Sequence, residues 1–512
     1  MTTTTTTTPQ RRLRALPLLA LSSALLLAGC GSTMVNPATG RAERTVMSES
    51  AEIAEGQKGH AQVLKEYGAY PDKAVQAYVN ELGQRLAKQS ERSQLTWTFT
   101  VLDSPEINAF ALPGGFVYVT RGIMAYMESE ADLAGVMGHE IGHVTARHGA
   151  QRATKQQNAG LGVLAASVFG AVLEARGVAG AGQLANQVSQ SVAAGLIASY
   201  GRDQELQADQ LGAEYLVRSR FDPANMVDVI KVLKNQEQFA ADTARAEGKT
   251  VNSGNNWLAS HPSNDRRLQD IQNIASNYPP ASYSDEGRAR YLKVVENLAY
   301  GESASQGLTR GQSFYHEGLG IAMTAPAGWK IVNEADSLTL VNGTGDAGVV
   351  MQTVPAQAGN TPEEMIKALL KPTGGRIERT TLSGLQAARF EGTVADAQGQ
   401  AKQVRATLVN GPNGQSYLLL PQARDAATLQ RNRPALQDAE ASFRAMTPAD
   451  RAAAKPWLIR SVAYPRGGYA QLATQSPMQG ARTEALLRLL NGAVNGQDPA
   501  PGQRVKVIVA AP

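Results

Sequence analysis

The chemistry in this chain is concentrated at His139-Glu140-Ile141-Gly142-His143. Two histidines four apart lie on one face of a helix, one turn or roughly 6 Å from each other. Imidazoles so placed can take adjacent corners of a tetrahedral Zn²⁺ site. Glu140, next to the first histidine, can reach a water at that metal without being a ligand itself. Such a string also arises by chance in ordinary helices. The rest of the chain therefore has to supply a third ligand and a cleft.

One class of zinc peptidase carries glycine three residues and histidine six residues after the second histidine. Here those places hold Ala146 and Gly149, which excludes that class. His148 falls one residue short of the ligand place and reads as a surface or packing histidine, with metal binding as the lesser alternative. A second class takes a glutamate from a later helix, and Tyr200-Gly201-Arg202-Asp203-Gln204-Glu205-Leu206-Gln207-Ala208-Asp209 fits it. Glu205 and Asp209 share a face one turn apart. Glu205 can ligate, while Asp209 can accept the far ring proton of a metal-bound histidine and fix its tautomer. Out of context the same pair reads as a solvated helix face.

The helix that must carry the motif has a start signal. Ser129 can cap it, Glu130 and Asp132 fall in the first turn where the dipole favours acids, and the apolar pattern runs from about residue 129 to 148. Leu133, Val136, Met137, Ile141 and Val144 form its buried face. Periodicity predicts further helices over 54–68 and 73–89, and alternation predicts strands over 95–102 and 116–120. Asn108, Ala109 and Phe110 precede Pro113-Gly114-Gly115, which confines that stretch to an edge strand or a turn. An edge strand beside the metal helix would hold an extended peptide by strand addition. An ordinary hairpin fits the spacing equally well. Residues 159–198 are rich in Gly, Ala, Val and Leu, but Glu174 and Arg176 interrupt the apolar run short of a bilayer span. That stretch reads as a helical hairpin packed on, or gating, the site.

Three stretches in order, INAFALPGG, ESEADLAGVMGHEIGHVTARH and YGRDQELQADQLGAEYL, resemble the HtpX/BepA-like family of zinc metalloendopeptidases, a gluzincin group that includes the CAAX prenyl proteases. The resemblance covers roughly residues 52–301. By position it implies His139, His143 and Glu205 as ligands of one Zn²⁺ per chain, Glu140 as catalytic base and Asp209 as the acidic partner. Gly201 stands where the family usually has serine, away from the chemistry. His261-Pro262, with Arg267 six residues after the histidine, looks like the family's HPxxxxR element, which in some periplasmic members lies over the zinc. His261 is then a latch or fourth ligand at the open zinc position, or a donor to the developing oxyanion. The plain alternative is a surface histidine in a polar loop.

Residues 1–29 read as a lipoprotein signal peptide. Arg11, Arg12 and Arg14 precede a 14-residue apolar run over 15–28, too short to span a bilayer, which ends in the lipobox-like Leu27-Ala28-Gly29-Cys30. Cys30 is the single cysteine; it is expected to be lipidated, and no intrachain disulfide is possible. With no Asp after it, the start resembles lipoproteins sorted to the outer membrane. Residues 30–50, small and polar, read as a lipidated tether. The three arginines account for most of the formal charge of +4, so the remainder is near neutral and gives no argument for nucleic-acid binding.

At 512 residues, two to four domains are expected. The fold expected is α+β: a mostly helical gluzincin-type zinc peptidase domain with a small edge sheet over 51–301, then an α+β module over 313–447. Strands are expected in that module at 320–324, 329–332, 338–341, 349–354, 387–392, 403–409 and 416–420, with helices at 362–370 and 426–446. Its Ala325-Pro326-Ala327-Gly328-Trp329 start is similar to PsbP/Mog1-like domains, a fold-level analogy. His316 reads as structural. Residues 456–512 form a small module whose Pro501–Ile508 ending resembles a LysM-like segment. Arg466-Gly467-Gly468-Tyr469 replaces the usual Gly-Asp-Thr, so the segment is degenerate and peptidoglycan binding is not expected.

Together these features imply a periplasmic zinc metalloendopeptidase, lipid-anchored at the outer membrane through Cys30, hydrolysing extended, unfolded or misfolded envelope proteins. The competing expectation is a latched or inactive-state lipoprotein that acts as a chaperone or assembly factor for outer-membrane proteins. An intact Glu140 argues against it.

Overall fold

The computed structural model describes residues 32–158, 200–246, 257–261, 265–278, 283 and 286–512, less 335–336, 396–398, 479 and 495. The signal peptide, Cys30, Pro262 and the hairpin expected over 159–198 lie outside the described residues. No helix among the described residues is long and apolar enough to cross a membrane.

The helix Glu130–Thr145 runs through the middle of the first unit with every residue buried. It starts on a reciprocal cap: Ser129 Oγ accepts from Asp132 N, and the Asp132 carboxylate accepts from Ser129 N. Its neighbour, Arg202–Arg218, crosses closely because the contact is made of small residues. A Cβ on Gly142 would lie 2.8 Å from Ala208 O, and one on Gly212 3.0 Å from His139 N. That approach sets Glu205 and Asp209 opposite the two histidines. The apolar pattern suggested a helix continuing to residue 148, but it stops at Thr145. Arg147 adopts a left-handed φ of 58°, and a new helix starts at His148.

A three-stranded sheet covers another side of this helix. Phe116–Thr120 is the middle strand, parallel to Thr98–Leu102 and antiparallel to Ala109–Leu112. Ala109–Leu112 is therefore an edge strand rather than one arm of an isolated hairpin. The stretch 33–50, read as a tether from its polarity, is ordered. Ser32–Val35 pairs with Ala42–Thr45, and the Asn36 amide donates to Ala146 O at 3.1 Å, at the end of the metal helix. Polar residues here satisfy a ribbon and its docking contacts, which composition alone does not separate from a linker.

After Ala299–Tyr300 the chain enters a sheet-rich region. Its main sheet has seven antiparallel strands in the order 330–333, 337–341, 347–354, 416–423, 401–410, 385–395, 372–382. One face packs Leu338, Leu340, Val349 and Leu419 with Leu436 and Ala439 of the helix Ala426–Ala441; the other packs Phe390 and Leu408 with Met365 and Ile366 of the helix Pro362–Leu370. The strand Pro372–Leu382 had no sequence signal because it is an exposed edge without apolar alternation.

Residues 456–512, expected as a module of their own, are part of the first unit's core. Trp457–Ala463 pairs with Arg504–Ala510 on one side and with Ala299–Tyr300 on the other. Leu486, Leu487, Leu489 and Leu490 join the same apolar cluster as Val136 and Ile141 of the metal helix. A segment this short cannot bury such a leucine face against itself. Fully buried Lys506 donates to Ala125 O at 2.9 Å and Met127 O at 2.7 Å and lies 3.0 Å from the Glu128 carboxylate, immediately before the helix cap. The sheet-rich region is thus looped out between two strands of one sheet. Its ends meet where the Arg310 guanidinium reaches Lys455 O.

Candidate metal centre

Four side chains from three segments converge, all of them buried: His139, His143, Glu205 and His261. His139 Nε2 lies 3.0 Å from His143 Nε2 and 3.2 Å from His261 Nδ1. The Glu205 oxygens lie 3.1 and 3.2 Å from His261 Nδ1, 3.5 Å from His143 Nε2 and 3.6 Å from His139 Nε2. A tetrahedral zinc with arms of about 2.0–2.1 Å has ligand atoms about 3.3–3.4 Å apart. The donor set, three imidazoles and one carboxylate, and its spacing both fit Zn²⁺.

The charges around the cluster suit that role. Burial, together with His139, His148, His261 and Arg267, pushes His143 well below its ordinary value, leaving a neutral ring with a lone pair. Burial raises Glu205, but His261, His139 and Arg267 outweigh it and keep it ionised. Asp209 lies 2.8 Å from His139 Nδ1 and accepts two bonds from Arg267, at 2.8 and 2.9 Å. Arg267 outweighs burial and holds that carboxyl well below the usual range. Arg267 also donates to His261 O at 3.0 Å, tying the segment that carries His261 to the second ligand helix.

That segment, residues 257–261, covers Glu140. Trp257 Nε1 donates to Glu140 Oε1 at 3.0 Å, and His261 Nε2 lies 3.4 Å from the same oxygen. The Trp257 indole stacks on the His261 ring with centroids 4.7 Å apart, and Trp257 N donates to Ile107 O at 2.9 Å. For His261, burial lowers the pKa, but Glu205 and Glu140 more than offset it and raise the value. Asn108, Ala109 and Phe110 follow Ile107 directly. Ala109 and Phe110 pair with Val119 and Tyr118 on their inner side, and all three side chains are buried. What the edge offers a ligand is therefore backbone.

Sequence reasoning passed over Trp257, which has no motif of its own, and Tyr200, whose ring stacks on His143 with centroids 4.0 Å apart. Burial pushes the Tyr200 phenol up to about 12. It also placed His148 among packing or surface histidines. His148 is 0% exposed, and its Nδ1 lies 2.8 Å from His143 Nδ1. The helix break at Arg147 that puts it there left no trace in the periodicity.

Residues 73–275, which include all of these site residues, match the model of Peptidase family M48. The "Beta-barrel assembly-enhancing protease" of Yersinia pestis is 30% identical over 257 residues, 49% of this chain and 49% of that one. The "Mitochondrial metalloendopeptidase OMA1" of Schizosaccharomyces pombe is 29% identical over 223 residues, 42% of this chain and 58% of that one. The chain thus spans about half the length of the curated relatives it matches. Among solved structures, cyanobacterial PsbP from Synechocystis aligns with 26% of this chain and 92% of its own at 14% identity, with a TM-score of 0.20, too low to carry an argument. The matched segment, the relatives' metallopeptidase names and the buried His/Glu cluster agree: residues 73–275 are similar to Peptidase family M48 and support a zinc metallopeptidase unit in this chain.

Proposed function

We propose that this chain is a zinc metalloendopeptidase of the bacterial envelope that hydrolyses peptide bonds in extended or misfolded proteins. The observation that carries this is the convergence of four zinc-type donors with Glu140, an acid that lies on the ligand helix and is not one of the four. Bound Zn²⁺ supplies a Lewis acid for the scissile carbonyl and brings the pKa of a water near neutrality. Glu140 takes a proton from the attacking water and passes it to the leaving amine. Asp209, fixed by Arg267, orients His139. The edge at Asn108, Ala109 and Phe110 receives the substrate backbone as an added strand.

The arrangement described is closed, because Trp257 and His261 both sit on Glu140. His261 acts as the latch, and opening moves segment 257–261 off the base. The names of the assembly-enhancing relatives support envelope proteins as substrates. The lipobox-like sequence supports a lipid anchor at Cys30 and a periplasmic site at the outer membrane. The PsbP/Mog1-like character of 313–447 and the LysM-like character of the tail are proposed on sequence alone. A second reading, a chaperone or assembly factor, is favoured by that same closed arrangement.

The test is casein cleavage by the full chain in detergent. Cleavage by wild type, or released by His261→Ala or Trp257→Ala, should vanish with chelator and with Glu140→Gln. If none of these forms cleaves above Glu140→Gln, the enzyme reading fails and the chaperone reading stands.

A further inference from the structure

The two histidines of the motif are backed by different chemistry. His139 Nδ1 faces the Asp209 carboxylate at 2.8 Å. His143 Nδ1 lies 2.8 Å from His148 Nδ1, and His148 Nε2 lies 2.9 Å from Gln207 Oε1. Two facing ring nitrogens bond only if one carries the proton and the other does not. An amide oxygen only accepts, so His148 Nε2 is the protonated atom and donates to Gln207. A neutral His148 then presents a bare Nδ1, and His143 Nδ1–H donates to it. The His143 lone pair is left on Nε2, the atom that faces His139 Nε2 and Glu205. Turning the Gln207 amide round would reverse every donor and put the His143 proton on Nε2, against the other ligand atoms.

The backbone is shaped to make this contact. In an unbroken helix a residue five positions on sits about 140° round the axis, away from His143. The left-handed turn at Arg147 starts a new helix and brings His148 back beside it. That unfavourable conformation is held from far along the chain: Arg147 donates to the Glu52 carboxylate at 2.6 Å and to Met47 O at 2.7 Å.

We infer that His148 and Gln207 form a positioning relay that fixes His143 in the tautomer that binds metal, doing with neutral groups what Asp209 does for His139. Neither residue is among the four converging donors. The inference rests on the zinc-site reading above. It differs from simple packing in one respect: Gln207, half-buried on the other ligand helix, should matter to zinc although it fills no core.

The experiment measures Zn²⁺ affinity of the full chain in detergent by competition with a chromophoric chelator at one pH. His148→Phe and Gln207→Leu should each bind roughly 10–100-fold more weakly than wild type. The thermal midpoint of the metal-free form should be unchanged in Gln207→Leu. His148→Asn, whose Oδ1 can accept from His143, should recover part of the loss. Gln207→Glu should equal or exceed wild type. Imidazole ¹⁵N spectra of the zinc form should show His143 protonated at Nδ1 in wild type. Wild-type affinity in both His148→Phe and Gln207→Leu overturns the relay. Should His148→Phe not fold, Gln207→Leu decides alone. A wild-type chain that takes no zinc overturns the metal-site reading itself, a result distinct from variants that bind as wild type does.

Discussion

The peptidase unit and the looped-out sheet region differ in how many of their charges are buried. In the peptidase unit, several ion pairs are buried and join elements far apart in sequence, beside exposed local ones such as Lys231 with Asp228. Arg92 and Arg147 both hold Glu52, Arg121 holds Asp103, Arg267 holds Asp209 and Lys506 meets Glu128. In the sheet region most pairs are exposed and local, such as Arg376 with Glu378 and Arg424 with Asp425. Glu440, buried beneath Arg405 and Thr407, and Asp450, buried beside Arg444, are exceptions. Exposed pairs contribute little. A buried pair seldom adds net stability, but losing one partner strands the other charge. The sheet region is therefore held by the two apolar faces of one sheet. The peptidase unit spends stability on polar cross-links that set where the metal helix begins, where it ends and which way its ligands face.

The largest effect this comparison predicts is at the site itself. Glu140→Gln should lower peptide hydrolysis by about 10²–10⁴-fold with little change in thermal midpoint, since the shape is kept and only the proton acceptor is lost. Next comes the far cross-link. Lys506→Met removes one of the two cations on Glu128, which keeps Arg288, and frees the buried carbonyls of Ala125 and Met127 ahead of the metal-helix cap. With about 1–3 kcal/mol for each carbonyl left without a donor, we expect a loss of about 2–5 kcal/mol in denaturant unfolding, with zinc content falling in step. Replacing residues 308–454 by a short Gly/Ser linker should instead leave a folded, zinc-binding peptidase, because its core continues from Tyr300 to Trp457 across one sheet. If the excised chain unfolds while Lys506→Met is neutral, the division drawn here is wrong.

The same contrast explains what the sequence disclosed. Features made by neighbours in the chain were legible: the Ser129 cap, the strand Phe116–Thr120 and the helix Pro362–Leu370 each follow from local periodicity and capping chemistry. Contacts closed over long distances were not. Arg147 is a non-glycine residue in the left-handed region, and what holds it there is Glu52, 95 residues away. Lys506 belongs to a strand whose docking partner lies 379 residues earlier. Periodicity describes one element's face and says nothing of which other element covers it. Hence the ligand types and spacing could be read, and Asp209 with them, while the contacts of Trp257 with Glu140 and of His148 with His143 and Gln207 could not.

The smallest effect should come from the sheet region's own side of its boundary. Asp450 caps the helix Pro448–Ala453 with Thr447 and pairs with Arg444. The Arg444 hydrogen bond is the strongest influence on its carboxyl, and it outweighs burial and holds the group well below its ordinary value. A depressed folded-state pKa means that the unfolded chain binds more protons as pH falls below about 5. The pair therefore adds stability at neutral pH and loses it on acidification through the ordinary carboxylate range. Because Arg444 is a third exposed, the contribution is discounted to about 1 kcal/mol. Asp450→Asn should lower the sheet region's unfolding midpoint slightly at pH 7 and flatten its decline towards pH 3, leaving casein cleavage at pH 7 as in wild type. A matching fall in zinc affinity would show that strain in the looped-out region reaches the metal helix, and that the two regions are one mechanical unit after all.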